Sequence, residues 1–468
     1  MKLLLTKNKL LLVIILFFLI TRIYKIAEIP SSVYWDEASI GYNAYSILQT
    51  GKDEWGKVFP IHFRAFGEFK LPVYIYSVVP FIKIFGLNEL SVRLPAVLFS
   101  LGIVILTFFL AKKLTGSSSI GFWSSFFLTI SPWFFIFSRT GFEVTAGLMF
   151  YLLAILLFLQ IRKGGEFILF SIVSFIISAY SYNSFRIISP LTILILLFYA
   201  KEDLKEIVSR YKPYILISVG ILILSVIPIA RLYIYDAGIY RLQEVGTASN
   251  LTIVKNYFAH FNPYFLFIHG DNNLRHQQAG FGQLYLPELA LLLLGFAYIL
   301  SNKSKYTFLP LVLILLGAIP AAITKESPHS LRSLSMIPFI HIISAMGTIK
   351  LGQILRKKLL FNLIVMIIFL SLFFYYFINF LTVYPIQSAS SWQYEYKKIF
   401  TNSLLKYQQK NQYLIPDKYG QPYIFALFYL KYDPEKFRNE AVRNSVDKWG
   451  FSTVKRFGKF EFNKIDEK

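Results

Sequence analysis

The sequence predicts a mainly α-helical, polytopic transmembrane bundle, and three observations predict it. Hydrophobic residues make up 55% of the 468. Mean hydropathy is +0.53. The apolar residues are gathered into about eleven runs, each approaching the roughly 20 residues that span a bilayer core. These runs fall at about 8–24, 94–111, 119–137, 144–161, 167–182, 187–200, 214–230, 284–300, 306–323, 334–349 and 359–381.

The first run follows the basic segment Lys2 to Lys9, like a signal peptide, but no small-residue cleavage site follows it. It therefore reads as an uncleaved first helix. A further run, Leu71 to Ile82, is short, carries Pro72 and Pro80 and meets Lys83. A run of that length suits an interfacial helix in the first outer loop better than a span. That assignment fixes the orientation. With the N-terminus inside, the basic turns Lys112-Lys113, Arg162-Lys163, Lys201 to Lys212, Asn302 to Lys305 and Lys350 to Lys358 all fall inside, as the positive-inside rule requires.

The long insertions then collect on the outer face: Ile26 to Arg93, Ser138 to Glu143, Ser181 to Arg186, Arg231 to Gln283, Thr324 to Arg332 and the tail from about Tyr384. The expected division is a transmembrane catalytic domain, 1–383, and a small extracytoplasmic α/β domain, 384–468. Within the tail, Ser388 to Gln409 suits a helix, Gln412 to Pro416 a strand, Tyr423 to Tyr432 a helix, and Phe451 to Phe462 strand with turns. No internal repeat is visible.

Composition narrows the chemistry. There are no cysteines, which excludes disulfides and thiolate metal sites. Tyr and Phe, 31 and 47, suit lipid–water boundaries. The net charge of +22 lies largely beside apolar spans. It points to anionic head groups or a phosphorylated lipid rather than to nucleic acid.

Nearly every unusual polar cluster lands on the outer side. Asp36 and Glu37 follow the first span, Glu68 and Lys70 precede the interfacial helix, and Arg93 opens the second span. Arg139 and Glu143 bracket one turn, Tyr182 and Arg186 another. His269, Asp271, Arg275 and His276 lie in a long loop, with His329 and Arg332 before a later span. His341 is the ionisable residue expected deep in a span, as a hydrogen-bonded packing residue. Carboxylates can deprotonate a hydroxyl or bind a cation, and Arg or Lys can hold a phosphate. Together they suit transfer from a lipid phosphate to a hydroxyl. Each also has a plainer reading. Asp36 could cap a helix over 37–47, Glu68 could pair with Lys70 or Lys52, and Arg139 with Glu143 could form an ordinary ion pair. The run from His269 to Asn273 could be only a turn, and His329 with Arg332 could be snorkelling at the interface.

These residues resemble a family. Trp35-Asp36-Glu37, then Gly67-Glu68-Phe69-Lys70-Leu71-Pro72, then Arg93-Leu94-Pro95 and Ser138-Arg139 with Glu143 are similar to the outer-loop motifs of GT-C glycosyltransferases. The protein O-mannosyltransferases and aminoarabinose transferases are the nearest in pattern, over roughly residues 1 to 350. The resemblance implies an inverting transfer from a polyprenyl-phosphate-linked sugar donor to a hydroxyl of a protein, lipid or envelope glycan, at a multi-pass cell-membrane site facing outward. It makes Asp36 the leading base, with Glu37 or Glu143 as second carboxylate. Lys70, Arg139, Arg186 and Arg332 are candidates for the lipid phosphate, and Glu68 would orient Lys70 or contact the sugar. Arg93, Tyr182, His269, Arg275, His276 and His329 complete the candidate substrate site. Some branches use a divalent cation, and no strong ligand cluster is visible here, so the metal is left open. The rival readings are a flippase or transporter of lipid-linked sugars, which would place polar groups near the midplane, and an assembly protein acting through its tail.

The orientation is checked by topology probes. A reporter after Lys113 is expected inside and one after Tyr384 outside. The reverse result at either position would displace every outer-face assignment above.

Overall fold

The computed structural model describes residues 2–66, 69–235, 249–302, 304–355, 358–403, 411–445 and 452–464. The principal helices are α1 (Lys2–Ile23), α2 (Trp35–Thr50), α3 (Pro72–Phe85), α4 (Glu89–Thr115), α5 (Ser118–Ile130), α6 (Val144–Phe158), α7 (Glu166–Ala179), α8 (Asn183–Tyr199), α9 (Lys212–Tyr235), α10 (Glu288–Ser301), α11 (Ile337–Ile354), α12 (Lys358–Thr382) and α13 (Pro422–Tyr429).

All eleven apolar runs are helical, but they are not eleven uniform spans. Among the described residues, five stretches are long and apolar enough to cross a membrane: Glu89–Thr115, Lys212–Ile234, Lys305–Ala322, Leu334–Ile354 and Leu359–Thr382. Two bent pairs raise the number to seven if each is one span. Ser118–Ile130 meets Pro132–Arg139 at 66°, where Pro132 lacks the N–H needed to continue the ladder. Asn183–Tyr199 meets Leu204–Arg210 at 104°. Leu10–Ile23, α6, α7 and α10 are shorter apolar helices. The expected interfacial segment is α3, 14 residues with Pro72 in its first turn and Pro80 inside.

Local chemistry sets the ends of the helices. Asn88 caps α4 by accepting from the Ser91 N–H, Glu89 lies in the first turn, and Lys112 and Lys113 lie in the last. These charges complement the helix dipole. Inside the bundle α10 packs directly on α11. A Cβ at Gly347 would sit 1.8 Å from the Leu291 carbonyl oxygen, and one at Gly295 2.2 Å from that of Ile343. Only glycine permits this backbone approach, a packing mode common between apolar helices. Beside that contact, His341 Nδ1 meets Glu288 Oε1 at 2.7 Å, and the Ser344 hydroxyl donates to the same oxygen. His341 is thus the buried, hydrogen-bonded residue expected, with Glu288 as the partner the sequence reading passed over.

The tail carries a four-stranded sheet in the order β3-β6-β5-β4, built from Tyr413–Asp417, Val442–Arg443, Val454–Phe457 and Phe460–Lys464 in chain order. The edge strand β3 runs parallel to β6, and the remaining pairs are antiparallel. Two short strands, β1 (Phe63–Arg64) and β2 (Phe69–Lys70), pair in the loop after α2. The expected strand at 412–416 and helix at 423–432 are present as β3 and α13. The helix expected over 388–409 is instead two short pieces, Tyr394–Lys398 and Ile399–Ser403, and residues 404–410 fall outside the described set.

The tail shares its core with the rest of the chain. Tyr42 and Ala44 of α2, Ile75 and Val78 of α3, and Phe425 and Phe457 of the tail belong to one apolar cluster. A Cβ at Gly41 would strike the Phe428 ring at 2.6 Å, so that glycine lets α13 lie directly on α2. A polar contact crosses the same boundary. Glu54, 1% exposed, accepts from the Tyr423 hydroxyl at 3.0 Å and from Asn43 at 3.3 Å.

Burial pushes the Glu54 carboxyl up to about 7, against the pull of Arg443. The folded chain therefore holds this proton more tightly than the unfolded chain, whose glutamate titrates near 4.3. Its stabilising contribution is complete below about pH 4.3, falls away as pH rises to about 7, and is level beyond. The change amounts to no more than about 4 kcal/mol. Melting temperatures of the detergent-solubilised chain between pH 4.5 and 8 should decline less for Glu54→Gln than for the parent. Parallel curves would show that Glu54 does not titrate in this range.

Candidate active site

The loop joining α1 to α2 is apolar and irregular, so its carbonyl groups need donors. Two arginines supply them. Arg139 donates to the carbonyls of Thr21, Tyr24 and Ile29 at 2.8, 2.9 and 3.1 Å. Arg93 donates to those of Ile26, Pro30 and Ser32 at 2.8, 3.1 and 2.6 Å. Its remaining N–H groups fork onto Glu37 at 3.1 and 3.2 Å. The Gly141 N–H adds a bond to the same carboxylate at 2.7 Å. Arg93, Arg139 and Glu37 are all 0% exposed.

This burial differs from the placement expected from sequence. Arg93 and Arg139 stand behind the site as clamps on the loop, with all three nitrogens of Arg93 bonded to backbone or Glu37 and the two terminal nitrogens of Arg139 bonded to backbone. Arg139 does not pair with Glu143. Asp36 is not a helix cap either. The helix begins at Trp35, and its cap residue is Tyr34, which makes no side-chain capping bond.

Asp36 sits in the first turn of α2 and faces another way. Its carboxylate meets Lys70 Nζ at 2.6 Å, with the Asp36 side chain 22% exposed and that of Lys70 3% exposed. Lys70 is held in position by β2, whose pairing sets Phe63 opposite Lys70. Arg275 lies over the rings of Tyr34 and Trp35, its guanidinium carbon 5.3 and 5.7 Å from their centroids. Burial, together with the charges of Asp36, Glu143 and Glu37, pushes the Tyr34 hydroxyl well above its usual range, and Arg275 opposes this. Asp36, Glu143, Lys70 and Arg275 thus gather around one tyrosine and the N-terminus of one helix. Trp35 is also fixed from the tail. Its N–H donates to Gln393 at 2.9 Å, and Gln393 in turn donates to the carbonyls of Tyr419 and Gly420. Gly420, at φ +83, abuts the indole so closely that a Cβ would lie 2.6 Å from it.

A second polar cluster backs onto Arg275. His276 Nδ1 meets Asp271 Oδ2 at 3.0 Å, and that oxygen also accepts from the Ser330 N–H and hydroxyl. The rings of His276 and His329 lie 4.9 Å apart. Burial raises the Asp271 carboxyl, but the bonds from His276 and Ser330 outweigh it and hold the group well below the usual range. Ligand atoms of Asp271, His276 and His329 lie within 4.8 Å of one another, which suits a cation. This set comes from two distant loops, and spacing along the chain gave no sign of it.

The other candidates are dispersed. Arg332 bonds Thr324 at 2.7 Å. Arg186 bonds the Ala179 carbonyl and the Tyr233 hydroxyl, and Tyr182 begins α8 as its cap residue. His269 stacks on Tyr264 at the end of a short helical turn, away from the cluster that Asp271 of the same run joins. Glu68 lies outside the described residues. Sequence reading missed Arg22, which donates to Ser138 and lies 4.2 Å from the Phe135 ring centroid. Its position at the end of an apolar run had the look of an ordinary topology signal.

Removing one partner of the buried fork leaves a charge without compensation, at a typical cost of about 3–5 kcal/mol. Arg93→Ala and Glu37→Gln should each lower the melting temperature of the purified chain sharply. Asp36→Asn, at a partly exposed position, should lower it clearly less. Equal effects at all three positions would contradict this division of labour.

Residues 70–229 match the family model described as dolichyl-phosphate-mannose-protein mannosyltransferase. No curated protein matches the sequence. Among solved structures, the chain is similar to ArnT from Cupriavidus metallidurans bound to undecaprenyl phosphate, with TM-score 0.60 and 11% identity over 92% of this chain and 85% of that one. It is also similar to the archaeal oligosaccharyltransferase AglB from Archaeoglobus fulgidus in complex with an inhibitory peptide and a dolichol-phosphate. There the TM-score is 0.54 and identity 11%, over 90% of this chain and 63% of that one. These matches show that the chain shares the fold of ArnT and AglB, the GT-C architecture that its sequence resembles.

Proposed function

We propose that this chain is a membrane glycosyltransferase that moves a sugar from a polyprenyl-phosphate donor to an acceptor hydroxyl at the outer face of the cell membrane. The observation that carries the reading is the reachable carboxylate of Asp36, held by Lys70 at 2.6 Å at the first turn of α2, with Arg275 over the adjoining rings. Similarity to structures described with undecaprenyl phosphate and dolichol-phosphate supports a lipid-phosphate donor. The basic turns read from the sequence support the orientation.

In this reading Asp36 is the general base. The acceptor oxygen attacks the anomeric carbon, its proton passes to the Asp36 carboxylate, and the bond from that carbon to the phosphate oxygen breaks. One displacement of this kind inverts the anomeric centre. The lipid phosphate leaves with both electrons of that bond, and the developing charge needs a cation aimed at it. Arg275 is the first choice, since it is half-buried over the rings of Tyr34 and Trp35, which adjoin Asp36, rather than committed to backbone carbonyls. Arg186 and Arg332, also half-buried, are further candidates along the lipid's path. Lys70 orients Asp36, Glu143 adds negative field opposite a positively charged sugar ring, and Glu37 with Arg93 fixes the turn.

The test is Asp36→Asn assayed for sugar transfer in native membranes. General-base catalysis is typically worth about 10²–10⁴-fold, and a loss of that size is expected with protein level and melting temperature largely retained. Undiminished turnover removes Asp36 as the base. Loss of transfer only on deleting residues 384–468, with Asp36→Asn active, would favour an assembly role for the tail.

A further inference from the structure

The cluster behind Arg275 has features that a packing role does not require. His276 and His329 belong to different loops, are 4% and 7% exposed, and bring their rings to 4.9 Å. Among the described residues no hydrogen bond joins the two rings. One nitrogen of His276 is engaged in a way that frees the other. His276 Nδ1 is bonded to Asp271, which leaves Nε2 as the ligand atom. His329 Nδ1 accepts the Arg332 N–H only at 3.4 Å, and giving up that long contact moves the ring proton to Nδ1 and presents the Nε2 lone pair. Asp271 is itself fixed by Ser330 and by the Asn273 N–H it accepts at 2.9 Å. A carboxylate that orients a histidine through one nitrogen, leaving the other for a metal, is the common outer-shell arrangement of histidine metal sites.

We propose that His276 and His329, with Asp271 as third ligand or as the group that orients His276, bind a divalent transition metal of the Zn²⁺ class. Two imidazoles and a carboxylate favour such an ion over Mg²⁺ or Ca²⁺, which take oxygen ligands. Glu326 Oε2, 3.8 Å from His329 Nε2, is placed to complete the shell on small movement of an exposed side chain. The metal ties the loop of residues 271–276 to that of residues 326–330. Arg275 is the neighbour of one ligand, so the tie also fixes the guanidinium over Tyr34 and Trp35. The metal positions a cation of the proposed site, and no bond-making step passes through it.

The test uses the full-length chain in detergent, stripped with chelator and titrated with Co²⁺ and then Zn²⁺. The expected result is one equivalent of Co²⁺ with visible d–d absorption, displaced by Zn²⁺, and a melting temperature raised by Zn²⁺. His276→Ala and His329→Ala should each weaken Co²⁺ binding by tenfold or more, while His269→Ala, at a ring stacked on Tyr264, should leave it intact. No saturable equivalent in the parent chain, or equal binding in the parent and both cluster variants, overturns the proposal. Because the readout is metal content and spectrum, it stands whether or not Asp36 proves to be the base of a sugar transfer.

Discussion

The ion pair between Arg93 and Glu37 is the constraint on which the rest of the site depends. A fully buried carboxylate and guanidinium are costly to desolvate unless each remaining lone pair and N–H finds a partner. Here every one of those partners is useful. Arg93 gathers three carbonyls of the loop between α1 and α2, and Glu37 takes the Gly141 N–H from the turn before α6. The pair therefore joins α2, α4, the first loop and a later loop at a single point. Arg139, collecting the Thr21 carbonyl at the end of α1 and two further carbonyls of the same loop, extends the arrangement. An irregular segment packed among apolar helices has no water to satisfy its backbone, and the two arginines take that role.

With the loop fixed, the start of α2 is fixed, and so are the groups around it. Lys70 reaches Asp36 from β2, Arg275 covers Tyr34 and Trp35, and Gln393 holds Trp35 from the tail. The tail is therefore part of the site's support rather than an appendage. Its aromatic core continues into α2 and α3, and Lys397 bridges to Glu89 at 2.8 Å while bonding the Ser31 carbonyl. The sequence boundary near residue 384 marks a change of composition, from apolar to more polar residues, and no break in the packing.

Much of this was legible in the sequence, because apolar runs and charge placement report directly on helices in lipid. The eleven runs, the short α3 and the strand β3 all follow from local pattern. The motif residues Asp36, Lys70, Arg93, Arg139 and Glu143 were visible as a set. Their division into working and supporting groups was not, since burial is a property of the packed bundle. Arg93 and Arg139 differ from Arg275 in what surrounds them and not in spacing. The cluster of Asp271, His276 and His329 was hidden for the same reason. Its members meet only when two loops are brought together, and no short motif encodes that meeting. Arg22 and Glu288 were passed over because the ends of apolar runs commonly carry charges with no internal partner.

The adjacent carboxylates Asp36 and Glu37 show how one helical turn separates two functions. Successive residues of an α-helix point about 100° apart, so neighbours in sequence cannot share a face. Once Glu37 is turned inward by the Arg93 fork, Asp36 is directed away from it. It then meets a cation supplied by a separate hairpin while part of its surface stays open. A carboxylate saturated by an arginine fork and a backbone N–H has little capacity left to accept a proton from a substrate. One that is held at a single oxygen, beside solvent, retains that capacity. The buried member of the pair thus defines the orientation of the other, and the proposed base owes its position to a neighbour packed wholly inside the protein.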